Sequence, residues 1–293
     1  MKRTGYYIQY VLLRILQSVM TGLPPKAAIK LGAVLGSVGY YLGLRRKVAS
    51  NNLKSSFPFK GEDELRLIAS GLYRNLGMNL AELLRFGNDN PEDVRARVRL
   101  EGSEHLDQAL RSGKGAILVS AHYGNWELYA AALACHGYPF SVVVYPQHNK
   151  YVDQMLNGLR RSKGIEVIYK KNAAREVLLS LRRNRFVTML ADQDAGPDGV
   201  FLDFMGRKAS VTKGPAVFAI KTGAPIITGA IVRTGGGMHQ GFADPPLYAA
   251  ANPDKEAEIA RLTKAFTSKL EEYVNNKPDH WYWVHKRWKT QQC

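Results

Sequence analysis

The feature that most restricts what this chain can fold into is an alternation between residues 116 and 232. Short apolar, β-branched runs occur at 116–120, 141–145, 165–169, 186–190 and 225–232, and helix-capable segments near 127–134, 151–161 and 174–181 separate the first four. Strands that are apolar at nearly every position must be covered on both faces, and helical connections make neighbouring strands parallel. The expected fold is therefore α/β, a mainly parallel central sheet flanked by helices. In such sheets reactive groups collect beyond the carboxyl ends of the strands.

The run at 116–120 leads directly into Ser120-Ala121-His122-Tyr123-Gly124-Asn125-Trp126-Glu127, and helical character resumes from Leu128 to Cys135. Residues five apart on one helix point about 140° away from each other. His122 and Glu127 can meet only if His122 sits in the turn before the helix. Asn125 is then the expected N-cap, and Glu127 falls in the first turn, where the helix dipole favours its ionised form. A carboxylate fixed beside an imidazole makes a general base; a polar turn carrying a surface histidine is the competing reading. The loop Asp192-Gln193-Asp194-Ala195-Gly196-Pro197-Asp198-Gly199 follows the run at 186–190 and should open on the same rim. Its carboxylates suit a cation, a hydroxyl-rich substrate or neighbouring arginines, although Asp, Gly and Pro also make ordinary surface turns. Its spacing matches no metal loop, so no metal is expected. Arg160, Arg161 and Lys163 end one expected helix, and Arg182, Arg183 and Arg185 end another. They are dipole partners on a solvated face or, for a planar guanidinium, a grip for phosphate.

Charge and hydropathy bear on the two ends of the chain. The net charge is +16 over 293 residues, and residues 1–60 carry Lys2, Arg3, Arg14, Lys26, Lys30, Arg45, Arg46, Lys47, Lys54 and Lys60 without one Asp or Glu. Within that stretch lie two apolar segments, 6–20 and 27–44, joined by Gly22-Leu23-Pro24-Pro25 and interrupted by Gln9, Arg14, Gln17 and Lys30. Neither is an unbroken span of about 20 apolar residues such as a bilayer crossing needs. Arg14 and the lack of a small-residue cleavage site argue against a signal peptide. An interfacial helical hairpin on an anionic membrane surface, facing the cytoplasm, is the expectation; packing of the same helices on the core is the alternative. Residues 1–48 are thus read as a membrane-associating helical segment and 49–293 as a single α/β domain. The cysteines, Cys135 and Cys293, form no C-x-x-C pair, which fits a reduced compartment and a small core residue at Cys135. The stripe Leu65, Ile68, Leu72, Leu76, Leu80 and Leu83 predicts a long amphipathic helix or two, and Asn252 and Pro253 predict the cap and first turn of another carrying Ile259, Leu262, Phe266, Leu270 and Tyr273. The tail from His280 to Lys289 interleaves aromatic and basic residues. It suits a membrane interface, single-stranded nucleic acid or the core, and the acid-free start favours membrane over nucleic acid.

Three ordered blocks then carry a resemblance. Val119 to Glu127, Leu190 to Pro197 and Trp281-Tyr282-Trp283-Val284-His285-Lys286-Arg287-Trp288 look like the lauroyl/myristoyl acyltransferases of lipid A biosynthesis, within the glycerolipid acyltransferase superfamily and its H-x4-D/E signature. The resemblance runs along essentially the whole chain. It implies an O-acyltransferase, peripheral or singly anchored at the cytoplasmic face of a bacterial inner membrane. Acyl groups would pass from an acyl carrier protein or coenzyme A thioester to a hydroxyl of a lipid A precursor or related glycolipid, without an acyl-enzyme or a further cofactor. It also implies a monomer that binds no nucleic acid. His122 and Glu127 would form the catalytic dyad, Glu127 orienting the ring, with Asn125 at the helix start helping an oxyanion. Arg160 would contact phosphate or oxyanion, and Asp192 and Asp194 would shape the acceptor site. The rival classes are a basic nucleic-acid-binding protein and a metal-dependent membrane esterase. No local pattern separates lipid A precursors from phosphatidylinositol mannosides as acceptors, or sets the acyl length.

Overall fold

The computed structural model describes residues 2–251 and 254–292, apart from the side chains of Lys2, Arg3 and Asn172. The cap and first turn expected at Asn252 and Pro253 lie outside the described residues. In chain order the strands are β1 (Val98–Glu101), β2 (Ala116–Ser120), β3 (Phe140–Val144), β4 (Glu166–Tyr169), β5 (Phe186–Leu190), β6 (Val200–Phe204), β7 (Arg207–Val211), β8 (Ile226–Gly235) and β9 (Met238–Ala243). Seven of them form one sheet in the order β1-β9-β8-β2-β5-β3-β4, while β6 and β7 make a separate antiparallel hairpin. Every pair in the large sheet is parallel except β8–β9.

The five expected runs all become strands of that sheet, within a residue or two at most ends. The mainly parallel sheet follows from them, and β8–β9 is the departure. β8 continues into Gly235, Gly236 and Gly237, all with positive φ, and these turn the chain back into β9. Three glycines in left-handed conformations permit a reversal that other residues resist. β1 then adds in parallel to the outer side of β9.

The helices are α1 (Lys2–Gly22), α2 (Pro25–Tyr41), α3 (Arg46–Ser56), α4 (Glu62–Arg85), α5 (Pro91–Arg97), α6 (Ser103–Arg111), α7 (Trp126–Cys135), α8 (Lys150–Arg161), α9 (Ala173–Arg182), α10 (Gly214–Thr222) and α11 (Lys255–Asn276). The central strand β2 shows how they divide. Ile117 and Val119 pack in one cluster with residues of α4, α9, α10 and α11, and Ala116 and Leu118 in another with residues of α5, α6, α7 and α8. Side chains of a strand alternate between faces, so one apolar run feeds both layers. α7 is buried at every position from Leu128 to Leu133, as a helix enclosed between a sheet and other helices must be.

The helical stripe from Leu65 to Leu83 lies within the single helix α4. α2 crosses α4 so closely that a Cβ on Gly32 or Gly77 would strike the other's carbonyl, and one on Gly36 would strike that of Tyr73. The glycines of α2 thus serve packing between backbones. The boundary expected at 48/49 falls inside α3. Outward, α1 exposes Ile8, Leu12, Ile15 and Val19 along one stripe, and α2 exposes Val34, Leu35, Val38 and Tyr41. Among the described residues no single helix is long and apolar enough to cross a membrane; α2 and α3 together have the length and composition, but bend by 86° at their junction.

The tail packs into the core. Trp281, Trp283, Trp288 and Arg287 are buried, and Trp281 and Trp283 stack edge to face with centroids 4.5 Å apart. Of the three placements open to it, the core is the one adopted, because the indole rings fill the space between the sheet rim, β6 and α11. The basic residues do not all reach solvent either: Arg287 donates to the Ser210 carbonyl.

Candidate active site

Parallel pairing of β2 with β5 sets Ser120 opposite Leu190. Two residues further along each strand, His122 and Asp192 emerge level with one another on the carboxyl rim. The His122 Nδ1 to Asp192 Oδ1 distance is 2.9 Å, and the second carboxylate oxygen accepts from the His122 amide at 2.9 Å and from Trp281 Nε1 at 2.8 Å. Asp192 is buried, which by itself would push its pKa up. The facing imidazole and the three hydrogen bonds outweigh burial and hold the carboxyl below its ordinary range. A carboxylate beside Nδ1 favours the tautomer with the proton on Nδ1, leaving Nε2, which Gln193 Nε2 approaches at 3.4 Å, to carry the lone pair. Trp126 and Tyr282 bracket the ring, with centroids 5.2 and 5.9 Å away. His122 itself is partly open to solvent.

The turn that delivers His122 has little freedom. Gly124 adopts φ +56° against the Ile231 carbonyl, where a Cβ would collide. Asn125 caps α7, its Oδ1 accepting from the Leu128 amide at 3.1 Å, while its Nδ2 donates to Glu82 at 2.6 Å. Both polar ends of Asn125 are therefore occupied within the protein, and the residue is buried.

Glu127 lies in the first turn of α7, as expected, but it is not the partner of His122. Both its oxygens are taken by Arg160 of α8, from Nε at 2.9 Å and Nη2 at 2.5 Å, in a two-pronged pair. Arg160 also donates to Asn157 at 2.6 Å. Burial acts to lower the Arg160 pKa, and the Glu127 carboxylate more than reverses this, leaving it raised. The physical reason is direction: the first turn of α7 aims Glu127 at α8, whereas the β2–β5 register aims Asp192 at the ring. Asp192 stands where the sequence placed it, on the same rim, two residues past the end of β5 as His122 does past β2; its pairing with the ring, and not its position, is what the sequence left open.

Asp194 faces elsewhere. Its carboxylate accepts from the Thr290 hydroxyl at 2.9 Å and the Thr290 amide at 3.2 Å, with Lys289 at 3.6 Å, so it holds the tail. His285, whose pKa burial lowers, receives the Asp194 amide at 3.3 Å. The tail also pairs with the turn directly: the Tyr282 amide donates to the His122 carbonyl at 3.0 Å, and the Gly124 amide to the His280 carbonyl at 2.9 Å. No feature of the separate segments announced that contact. Among the described residues no group of three or more His, Cys, Asp or Glu is gathered as a metal site.

Comparison with known proteins agrees with these blocks. The family model described as bacterial lipid A biosynthesis acyltransferase matches residues 1–290. A phosphatidylinositol mannoside acyltransferase of Mycobacterium tuberculosis is 30% identical over 191 residues, 64% of this chain. The chain spans 58% of the length of that mycobacterial relative. The lipid A biosynthesis palmitoleoyltransferase of Escherichia coli K12 is 24% identical over 274 residues, covering 92% of this chain and 87% of that protein. The lauroyltransferase of the same organism is 25% identical over 291 residues, covering 97% and 92%.

Proposed function

The chain belongs to the bacterial lipid A biosynthesis acyltransferase family, and from that premise we propose that it moves a fatty acyl chain from a thioester to a hydroxyl of a lipid A precursor or related glycolipid, with His122 as general base. The observation that carries this reading is the 2.9 Å contact between His122 Nδ1 and a buried Asp192 carboxylate at the carboxyl rim of the sheet. His122 Nε2 accepts the hydroxyl proton as the acceptor oxygen attacks the thioester carbonyl. The start of α7, next to the turn that carries His122, supplies the positive end of a helix dipole to stabilise the resulting oxyanion. Collapse breaks the carbon–sulfur bond, and the departing thiolate of the carrier protein or coenzyme A takes the proton back from Nε2. Asp192 keeps the ring in the tautomer this requires and stabilises the imidazolium, as the carboxylate does in a hydrolase triad. Glu127 and Arg160 act as a pair that fixes α7 against α8.

The acid-free basic start and the exposed stripe of Ile8, Leu12, Ile15 and Val19 support docking on an anionic membrane surface. A fully buried side chain of this kind contributes roughly 1.5–3 kcal/mol, and each nearby Lys or Arg about 1 kcal/mol. We assign the protein to the cytoplasmic face of the bacterial inner membrane, as a peripheral monomer. The test is mass spectrometry of membrane lipids from cells with and without the protein. A mass difference of one acyl chain on a glycolipid is expected, absent with His122→Ala; unchanged lipids in expressing cells would overturn the assignment.

A further inference from the structure

Beneath the turn that carries His122 lies a buried charged cluster that the chemistry above does not use. Glu82 of α4 and Arg233 of β8 form a two-pronged pair at 2.8 and 2.6 Å, Glu82 being fully buried. Each partner reaches the turn. Glu82 Oε2 accepts from Asn125 Nδ2 at 2.6 Å. Arg233 Nη2 donates to Asn79 Oδ1 at 3.1 Å, and Asn79 Nδ2 donates in turn to the Gly124 carbonyl at 2.5 Å. The Arg233 amide donates to His280 Nε2 at 3.2 Å, and the His280 carbonyl receives the Gly124 amide at 2.9 Å. The main-chain groups flanking His122 are thereby tied from two sides, by the tail and by this pair.

A buried ion pair is a poor way to gain stability, since desolvating two charges offsets their attraction and an apolar pair of similar volume often does as well. The cluster also leaves polar groups unmatched. Among the described residues, His239, buried beside Glu82 at 3.7 Å, has neither ring nitrogen hydrogen-bonded, and Arg233 Nε has no partner. Burial keeps the His239 ring neutral, with its pKa lowered to about 4. An arrangement that is dear in desolvation and yet converges on one turn is explained by what it fixes. Misplacing a catalytic group by about 1 Å is enough to cost on the order of a hundred-fold in rate.

We propose that Glu82 and Arg233 are positioning residues for the acyl-transfer reaction, setting through Asn125 and Asn79 the height of the Gly124–Asn125 turn and with it the place of His122 and the start of α7. This rests on His122 being the base, and His122→Ala is therefore assayed in parallel. The double variant Glu82→Leu/Arg233→Met removes both charges while keeping volume, and Asn79→Ala keeps both charges but removes the tie to Gly124 together with the Arg233–Asn79 hydrogen bond. For both, kcat should fall at least about tenfold with KM for the acyl donor within about twofold, as expected when geometry at the reacting atoms is lost. The melting temperature of Asn79→Ala should stay close to that of the wild type, and Glu82→Gln/Asn125→Asp, which reverses the Asn125 hydrogen bond, should recover more of kcat than Glu82→Gln alone. Wild-type kcat in Asn79→Ala, or in a folded Glu82→Leu/Arg233→Met protein, would overturn the inference if His122→Ala is inactive. An active His122→Ala would instead overturn the reading beneath it.

Discussion

Asp192 and Glu127 are both carboxylates close to His122 in the fold or in the chain, and they are used in opposite ways. Asp192 is seventy positions away in sequence, yet one of its oxygens meets Nδ1 of the ring at 2.9 Å while the other is held by an amide and an indole. Glu127 is five positions away and spends both oxygens on Arg160. A neutral imidazole has one Nδ1–H to give and needs a lone acceptor, which Asp192 supplies. A guanidinium fork needs two acceptors in one plane, which Glu127 supplies. Closeness along the chain therefore says less about a catalytic pair than the register of the strands that carry its members.

That contrast can be broken by mutation, and the largest effect should come at the base itself. His122→Ala should lower kcat by about a hundred- to ten-thousand-fold, measured on protein shown to be folded. On the other side, Arg160→Met leaves the Glu127 carboxylate without its partner. Its stability in urea should drop by roughly 3 kcal/mol, with Arg160→Met/Glu127→Leu regaining most of the loss. A rate defect in Arg160→Met without a stability defect would blur the distinction between the two carboxylates.

Smaller effects sharpen it. Trp281→Phe removes one of the three hydrogen bonds to Asp192 and should lower kcat about tenfold, the worth of one bond to a charged group, measurable in single turnovers. Asp192 also leaves a mark on acid stability. Its pKa is depressed in the folded protein, so its contribution is present above the ordinary carboxylate value, about 4, and is lost as pH falls through the depressed one. The stability gap between wild type and Asp192→Asn should therefore be widest near neutrality and narrow below about pH 4, as followed by denaturant titration at several pH values. Finally, Ile8→Ser/Leu12→Ser/Ile15→Ser should weaken sedimentation with anionic vesicles while leaving both carboxylate environments intact.

Much of the sheet was legible because its central strands are buried on both faces and so are apolar throughout. β1 and β9 were not, since Val98-Arg99-Leu100-Glu101 and Met238-His239-Gln240-Gly241-Phe242-Ala243 interrupt their apolar positions with polar residues and, in β9, glycine, at the end of the sheet where β1 is the edge strand. The hairpin of β6 and β7 forms a separate two-stranded sheet apart from the main one. Within the site, His122, the cap at Asn125 and the rim position of Asp192 were readable from local signals. The partner of each carboxylate was not, because spacing along a chain does not encode which helix a first-turn side chain faces. The tail misled for a related reason: alternating aromatic and basic residues suit an interface and a core equally, and only the space left beside β6 and α11 decides between them. Glu82 and Arg233, 151 positions apart, carry no local pattern at all.

The central claim is that Asp192, and not Glu127, orients the base. The most direct measurement is the single-turnover acyl-transfer rate at saturating donor and acceptor for Asp192→Asn beside Glu127→Gln. Asp192→Asn preserves shape but offers the ring an amide, favouring the wrong tautomer, and its rate should fall by about a thousand- to ten-thousand-fold. Glu127→Gln, which keeps an acceptor for Arg160, should lose no more than about tenfold, the worth of one weakened charged hydrogen bond. A Glu127→Gln defect as deep as that expected of Asp192→Asn, with Asp192→Asn close to wild type, would contradict the account.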